Sequence, residues 1–453
     1  MKVIVLTTRL NSVWLSMQEI IPGIESLWKN YGADRGIEVN TINCDDGLDL
    51  SKNMKQLLEA RLIVVTAFNL KIVQAVRLIR RQLGIDAPIA FYLHNQATIA
   101  CWPLKKWNLI DCLNSGDTFI STCSRDVETF NALFQNAKCL LTPFSYHNLA
   151  KPSQSSDYKF SKSGKNFVYV GRISDQKNLH TLMTAFSRLK TQDSLHIFGG
   201  EDSLGSPNME MPSSKTLTDL KKLTETLKIN SRVFFYGHQP RENLYHYLQS
   251  TPHLFVSASL HSDENFGMAA FRSLCLGANI VLSDWGGHSD FAKYFPTQVK
   301  YARVNESQRG PFVDPIELAS CMGEAKENSP MAYEIPMHYQ ERTIFRALDS
   351  LMGSTKEKSA PLVPTPLTCA VWKQQNEIAG PSLCRAFTGY DDPLAQEFFR
   401  LYGAQKKSSN TPRVNFLVPW VKKQGDSYYI QDPHRGEVHV QSERELANLG
   451  YLF

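Results

Sequence analysis

The sequence predicts an α/β protein made of two Rossmann-like parallel sheets in tandem, with a cleft between them and a C-terminal extension. Three observations predict it. Short β-branched runs alternate with longer amphipathic runs twice over, from Val3 to about Pro143 and again from Phe167 to Trp285. Between the two series lies Ala150 to Lys165, polar and rich in Ser and Lys, the composition of an exposed linker. The chain has 453 residues, too many for one core and suited to two or three domains. Repeated βα units imply parallel strands with helices on both faces, and such sheets bind ligands beyond the C-terminal ends of their strands.

In the first domain, residues 1–150, the apolar runs Val3–Leu6, Gly36–Thr41, Leu62–Thr66, Ile89–Leu93, Thr118–Ser121 and Cys139–Thr142 are expected as strands. Helices are expected between them at Ser16–Trp28, Met54–Glu59, Leu70–Leu83, Lys105–Asn114 and Arg125–Phe134, where apolar residues recur at helical spacing. The second domain, residues 166–330, repeats the pattern. Its expected strands are Phe167–Val170, Leu195–Phe198, Val233–Tyr236, Leu254–Val256 and Asn279–Leu282, and its helices Leu179–Leu189, Lys215–Leu227, Arg241–Leu248 and Met268–Leu276. Val313 to Glu324 then reads as helical, around Asp314-Pro315, and Tyr339–Leu351 reads as a further helix. Residues 331–453 are set apart as a crossover helix and an extension of no assigned chemistry. Within it Ser354 to Thr368 is a second polar joint, and Val414–Val418, Tyr428–Ile430 and Glu437–Val440 suggest antiparallel strands.

Composition narrows the class. A net charge of +5 is small for this length and does not call for nucleic acid as a partner. The nine cysteines include no C-x-x-C pair and read as reduced thiols. The apolar opening stops at Thr7-Thr8-Arg9 with no small-residue cleavage site after it, so a first strand and a cytoplasmic location are expected. No segment approaches the roughly 20 apolar residues of a membrane span.

Four loops at expected strand ends carry the chemistry. Gly171-Arg172-Ile173-Ser174-Asp175-Gln176-Lys177 places a guanidinium and an ammonium five residues apart. A diphosphate suits that pair, since Arg forks to two oxygens and Lys supplies a compact charge; the plain alternative is two solvated cations. Phe198-Gly199-Gly200 ends a strand in glycines, which lets backbone approach a ligand or simply makes a tight turn. Glu264-Asn265-Phe266-Gly267 opens a small-residue helix, whose free N–H groups and dipole favour an anion. The Glu264 carboxylate itself would serve sugar hydroxyls, or be only a first-turn acid on that dipole. After Phe91-Tyr92-Leu93 stands His94, either a site residue or an ordinary loop histidine.

The ordered set Gly-Arg-x4-Lys-Asn, Gly-Gly, Val-Phe-Phe-Tyr-Gly-His, Asp-Glu-Asn-Phe-Gly, Cys-Leu-Gly and Ser-Asp-Trp-Gly-Gly, from about Asn166 to Asp290, resembles the retaining glycosyltransferases of the GT-B fold, closest to family 4. That resemblance implies transfer of a sugar from a nucleotide-diphosphate-sugar donor to the hydroxyl of a glycan, lipid-linked or small-molecule acceptor, in glycan or glycoconjugate synthesis. By the same resemblance Arg172 and Lys177 hold the donor diphosphate, Glu264 contacts the donor sugar, and Asn265, Phe266 and Gly267 lend backbone to sugar and phosphate; Gly171, Gly199 and Gly200 are donor-binding candidates beside them. His94 corresponds to a histidine near the reacting carbon. No cofactor is expected beyond the donor itself, and no metal, because fixed cations can serve the leaving group and no Asp-x-Asp pair is present.

Arg272 departs from the family pattern, which carries a second, ribose-binding glutamate there. A guanidinium cannot accept hydroxyl protons, so Arg272 would bind phosphate or pair with an acid such as Glu201. Asp290 stands where glutamate is usual, and the glycine-rich loop expected after the first strand is absent from Thr7–Asn11. A protein that binds a nucleotide or glycan without transferring it is therefore the rival reading, and a phosphorylase or epimerase on the same fold is a third. Lys71, Arg77, Arg80 and Arg81, beside Ile72, Val73, Val76 and Ile79, with Lys105-Lys106-Trp107, offer a surface for peripheral contact with the inner face of a membrane; a solvated helix face is the alternative.

Overall fold

The computed structural model describes residues 1–9, 15–94, 100–145, 164–201, 216–261, 264–307, 310–327, 334–353, 360–377, 393–406, 421–424, 427–432, 436–440 and 442. Most of the expected linker, Leu10-Asn11, Asn95-Gln96, Ser262-Asp263 and the strand expected at Val414–Val418 lie outside the described residues. The chain divides into two units, residues 1–148 with 335–373, and residues 149–334 with 374–453. The stretch set apart as an extension is thus shared between them.

The first unit holds a parallel sheet of β1 (Lys2–Thr7), β2 (Glu38–Asn43), β3 (Leu62–Val65), β4 (Ile89–Tyr92), β5 (Thr118–Ser121) and β6 (Lys138–Leu141), in the order β2-β1-β3-β4-β5-β6. β3 and β4 are buried at every position, as apolar runs covered on both faces must be. The first helix runs from Leu15 to Arg35, past the expected end, and stops where Gly36 takes a left-handed φ of 64°. That turn starts β2 at Glu38 rather than Gly36.

Two further segments are not the plain helices expected. The Leu70–Arg77 helix widens into a π turn at Leu78–Gln82, and Arg80 reaches from it to the carbonyls of Ile85 and Ala87 and to Asp117. Lys105–Asn114 is not one helix: a π turn with Pro103 inside spans Ala100–Lys106, Asn108 takes a left-handed φ of 52°, and a 3₁₀ turn follows at Leu109–Cys112. The carboxylate of Asp117 accepts from Arg80 and from the N–H groups of Ile89 and Asn114, and so pins the starts of β4 and β5. Ile72, Val73, Val76 and Ile79 are all buried, so the apolar side of this segment faces the core. The returning segment joins the same unit, where Asp349 accepts from Tyr31 and Arg35, and Pro361 and Pro364 bridge to Asn114 and Phe134.

The second unit holds β7 (Asn166–Val170), β8 (Ser194–Phe198), β9 (Val233–Gly237), β10 (Leu254–Ser257), β11 (Asn279–Ser283) and β12 (Val299–Ala302) in the order β12-β11-β10-β7-β8-β9, all parallel. β12 was not expected: it is a half-exposed edge strand with Lys300 in its middle and lacks an apolar run. Beside it a hairpin of β13 (Val304–Ser307) and β14 (Gly310–Val313) leads to the Pro315–Glu324 helix capped by Asp314. The Pro393–Tyr402 helix returns to this unit, with Arg400 on Glu306 and Gln405 hydrogen-bonded to Val304 and Glu306. Three antiparallel strands follow, β15 (Val421–Gln424), β16 (Ser427–Asp432) and β17 (Gly436–Val440). Among the described residues no helix is long and apolar enough to cross a membrane.

Candidate functional site

In the second unit the strand order reverses between β10 and β7. The C-terminal ends of those two strands are the usual ligand position of a doubly wound sheet, and a loop leaves each. The two loops are Gly171–Asn178 and Ala258–Gly267. Each is fixed by backbone bonds that its sequence makes possible.

The first loop is drawn alongside the end of β8. Gly171 donates its N–H to Phe198 O at 2.9 Å, and Ile173 to Gly200 O at 2.8 Å. Only glycine fits at 199, because a Cβ there would lie 1.7 Å from Gly171 O. A 3₁₀ turn over Asp175–Lys177 then aims Lys177 back toward β10. Asn178 donates from its amide to Ala258 O at 3.0 Å, and Leu260 N–H to Gln176 O at 2.8 Å, so the two loops are sewn together.

Across that seam Lys177 Nζ lies 2.5 Å from Glu264 Oε2, with side chains only 14% and 11% exposed. Ser259 Oγ donates to the same oxygen at 2.6 Å. Burial is the largest single influence and opposes a charge on Glu264, but the Lys177 ammonium and the neighbouring His288 and His261 together outweigh it and hold the carboxyl well below the usual carboxylate range. His261 and His288, buried alongside, are pushed down and stay neutral, burial being the chief cause for both. The result is a buried carboxylate and ammonium where the two loops meet.

Glu264 is held from behind as well. Gly287 donates to Glu264 O at 2.6 Å, Trp285 Nε1 to His261 O at 2.8 Å, and Ser283 Oγ to Ser259 O at 2.6 Å. Phe266 turns into an apolar cluster with Phe271 and Phe291, which leaves the Asn265–Gly267 backbone at the loop. Gly267, at a left-handed φ of 77°, sits on the His288 ring, where a Cβ would come within 2.7 Å of Cδ2. The Met268–Cys275 helix begins there.

Arg272 follows in that helix. One helical turn past Met268, its guanidinium lies 5.6 Å from the centre of the Tyr245 ring, and burial lowers its pKa to about 10, which leaves it cationic at neutral pH. Glu201, the acid suggested for it, accepts from Leu217 N–H at 2.8 Å and so caps the Thr216–Thr226 helix.

His94 belongs to the first unit, just past β4 and close to the β1–β3 reversal of that sheet. Its Nε2 lies 2.6 Å from Thr66 O; a carbonyl only accepts, so Nε2 carries the proton and Nδ1 is left as a bare acceptor, buried without a hydrogen-bond partner among the described residues. Burial lowers its pKa to about 4. It is a neutral, oriented acceptor with its ring between Tyr92 and Phe144.

The structure therefore brings together Gly171, Arg172, Lys177, Gly199, Gly200, Glu264, Asn265, Phe266 and Gly267 in one unit, and puts His94 in the other. Sequence reasoning did not assign Ser259, His261, Trp285 or His288 to the site. The Trp-Gly-Gly run was visible, but its partner at Glu264 lies more than twenty residues earlier, a pairing that no local spacing shows.

Residues 150–303 match the family model described as Glycosyl transferases group 1, which bears out the resemblance carried by the motifs. A mannosylfructose-phosphate synthase of Agrobacterium fabrum is 28% identical over 132 residues, and the match spans 28% of this chain and 27% of that protein. Among solved structures, Anabaena Alr3699/HepE in complex with UDP and glucose matches with a TM-score of 0.51 at 15% identity, covering 78% of this chain and 100% of that one. The lipopolysaccharide outer core galactosyltransferase WaaB covers 77% of this chain and 99% of its own at 14% identity and a TM-score of 0.45. The Anabaena likeness shows the fold: two parallel six-stranded sheets in the GT-B arrangement.

Proposed function

We propose, from a chain that carries a group 1 glycosyl transferase segment on a GT-B fold, that it transfers a sugar from a nucleotide diphosphate sugar to an acceptor hydroxyl with retention at the anomeric carbon. The observation that carries the proposal is the buried Lys177–Glu264 pair at the β7–β10 reversal, flanked by Arg172 and the start of the Met268–Cys275 helix. When the anomeric C–O bond breaks, its electron pair goes to the diphosphate oxygen while positive charge grows on the sugar ring. Arg172, Lys177 and the helix N-terminus stabilise the first. Lys177 has three protons, enough to hold Glu264 and a phosphoryl oxygen together. The carboxylate, kept ionised by Lys177, accepts from sugar hydroxyls. In the first unit His94 offers its own bare acceptor, Nδ1, to a hydroxyl.

The leaving group is served by these fixed cations, without a metal, and the reaction belongs to cytoplasmic glycan or glycoconjugate synthesis. Support for a nucleotide sugar comes from the Anabaena protein, whose structure holds UDP and glucose. The side chains of Ile72, Val73, Val76 and Ile79 are buried, so that side of the Leu70–Gln82 segment faces the core and not a lipid surface.

The second reading, binding without transfer, is favoured by one observation. The Arg272 guanidinium is taken up by the Tyr245 ring, where the family pattern has an acceptor for ribose. Incubation with a panel of uridine, guanosine and adenosine diphosphate sugars separates the two. Release of the nucleoside diphosphate, by transfer or slow hydrolysis, is the expected result; donor-dependent thermal stabilisation with no release from any member would establish the binding protein.

A further inference from the structure

The Pro393–Tyr402 helix lies in the stretch to which the sequence assigns no chemistry, and it packs directly behind the Glu264 loop. Tyr402, Phe399 and Phe398 are each at most 1% exposed. The Tyr402 ring meets Trp285 edge to face at 5.1 Å, and Phe399 stacks against the same indole at 6.3 Å. Trp285 is itself fully buried and donates to His261 O. The next residue, Gly286, is caught between two walls: a Cβ there would lie 2.4 Å from Glu264 O on one side and 2.6 Å from Tyr402 Cε1 on the other. Gly287 then donates to Glu264 O at 2.6 Å. A continuous packed path thus leads from Tyr402 through Trp285-Gly286-Gly287 to the backbone of Glu264.

The helix is anchored at its own end. Arg400 lies 2.5 Å from Glu306, and Gln405 exchanges backbone bonds with Val304 and Glu306, extending the small β13–β14 hairpin by one bridge. A helix tethered at one side and wedged at the other acts as a strut, because close-packed side chains transmit displacement rather than absorb it.

We infer that residues 393–406 form a strut of the donor site, with Tyr402 as a positioning residue that fixes Trp285-Gly286-Gly287 and through them the Glu264 loop. The placement of the loop follows from packing alone; its consequence for the donor rests on the function proposed above. Tyr402 touches no substrate in this scheme. It sets how firmly the carboxylate is presented.

Hydrogen–deuterium exchange on the full-length chain tests it, comparing wild type with Tyr402→Leu and Tyr402→Phe. Tyr402→Leu fills much of the space but removes the edge-to-face contact. Amides in 258–271 and 283–292 should exchange about tenfold faster in Tyr402→Leu, those of β7 and β8 should not change, and Tyr402→Phe, which keeps the ring, should restore the protection. Unchanged exchange in 258–271, or a loosening spread equally over β7 and β8, overturns the strut. With any nucleotide sugar that the wild type turns over, the donor KM should rise several-fold in Tyr402→Leu and return in Tyr402→Phe. If no nucleotide sugar turns over, the proposed activity fails while exchange still decides the strut.

Discussion

At the scale of single residues the site turns on one buried ion pair. Removing one partner of such a pair leaves the other charge uncompensated, at a cost of about 3–5 kcal/mol. Lys177→Ala should therefore lower both stability and turnover, the latter by about a hundredfold or more if the ammonium serves the leaving group. Near-normal turnover would remove Lys177 from the mechanism. The same variant frees the Glu264 carboxyl from the cation that depresses its pKa, so burial pushes that pKa upward and the activity should acquire an acid limb within the measurable pH range. Arg172, Lys177, Glu264, Gly199 and Gly267 were legible in the sequence because their residue types and order are themselves unusual. His288 and Tyr402 were not, since each is an ordinary residue made relevant by a contact far along the chain, and Ser259, five residues before the Glu264 it donates to, is a common residue type that nothing in the sequence marks.

At the scale of elements, the strands buried on both faces announced themselves as apolar runs, while the half-exposed edge strand β12 did not, and one departure was shaped by a distant partner. Arg80 is the example. Its reach to Asp117 accompanies a π turn, which no local propensity encodes. Burial raises the Asp117 pKa even against the adjacent guanidinium, so the pair exists at the expense of desolvation and depends on its hydrogen bonds. Asp117→Ala should cost about 3–5 kcal/mol, read as a shift in the urea midpoint, and disturb the starts of β4 and β5 first. Gly199→Ala should be comparably severe, about 3 kcal/mol, because its methyl group would overlap Gly171 O and prise apart the ends of β7 and β8. A stability change under 1 kcal/mol for Gly199→Ala would contradict that close approach.

At the scale of the whole molecule, stability should be acid-sensitive. Burial holds His94, His196 and His253 near pKa 4, below the ordinary 6.5, so between those values the unfolded chain takes up protons that the folded one refuses. The stability due to neutral burial is complete above about pH 6.5 and is lost as pH falls toward 4. Glu264 acts in the same direction lower down: its folded pKa is depressed, so its contribution is present above about 4.5 and lost below. A melting temperature that falls steeply from pH 6.5 to 4, and less steeply in His253→Gln, is the expected result.

Neither unit is contiguous in the chain, since residues 335–373 complete the first only after the core of the second has been made. During synthesis the N-terminal sheet must wait, with the seats for Asp349, Pro361 and Pro364 empty, while nearly two hundred further residues emerge. A nascent chain stalled near residue 334 should accordingly hold a protease-sensitive first unit beside a largely formed second sheet, and release of some forty more residues should close it.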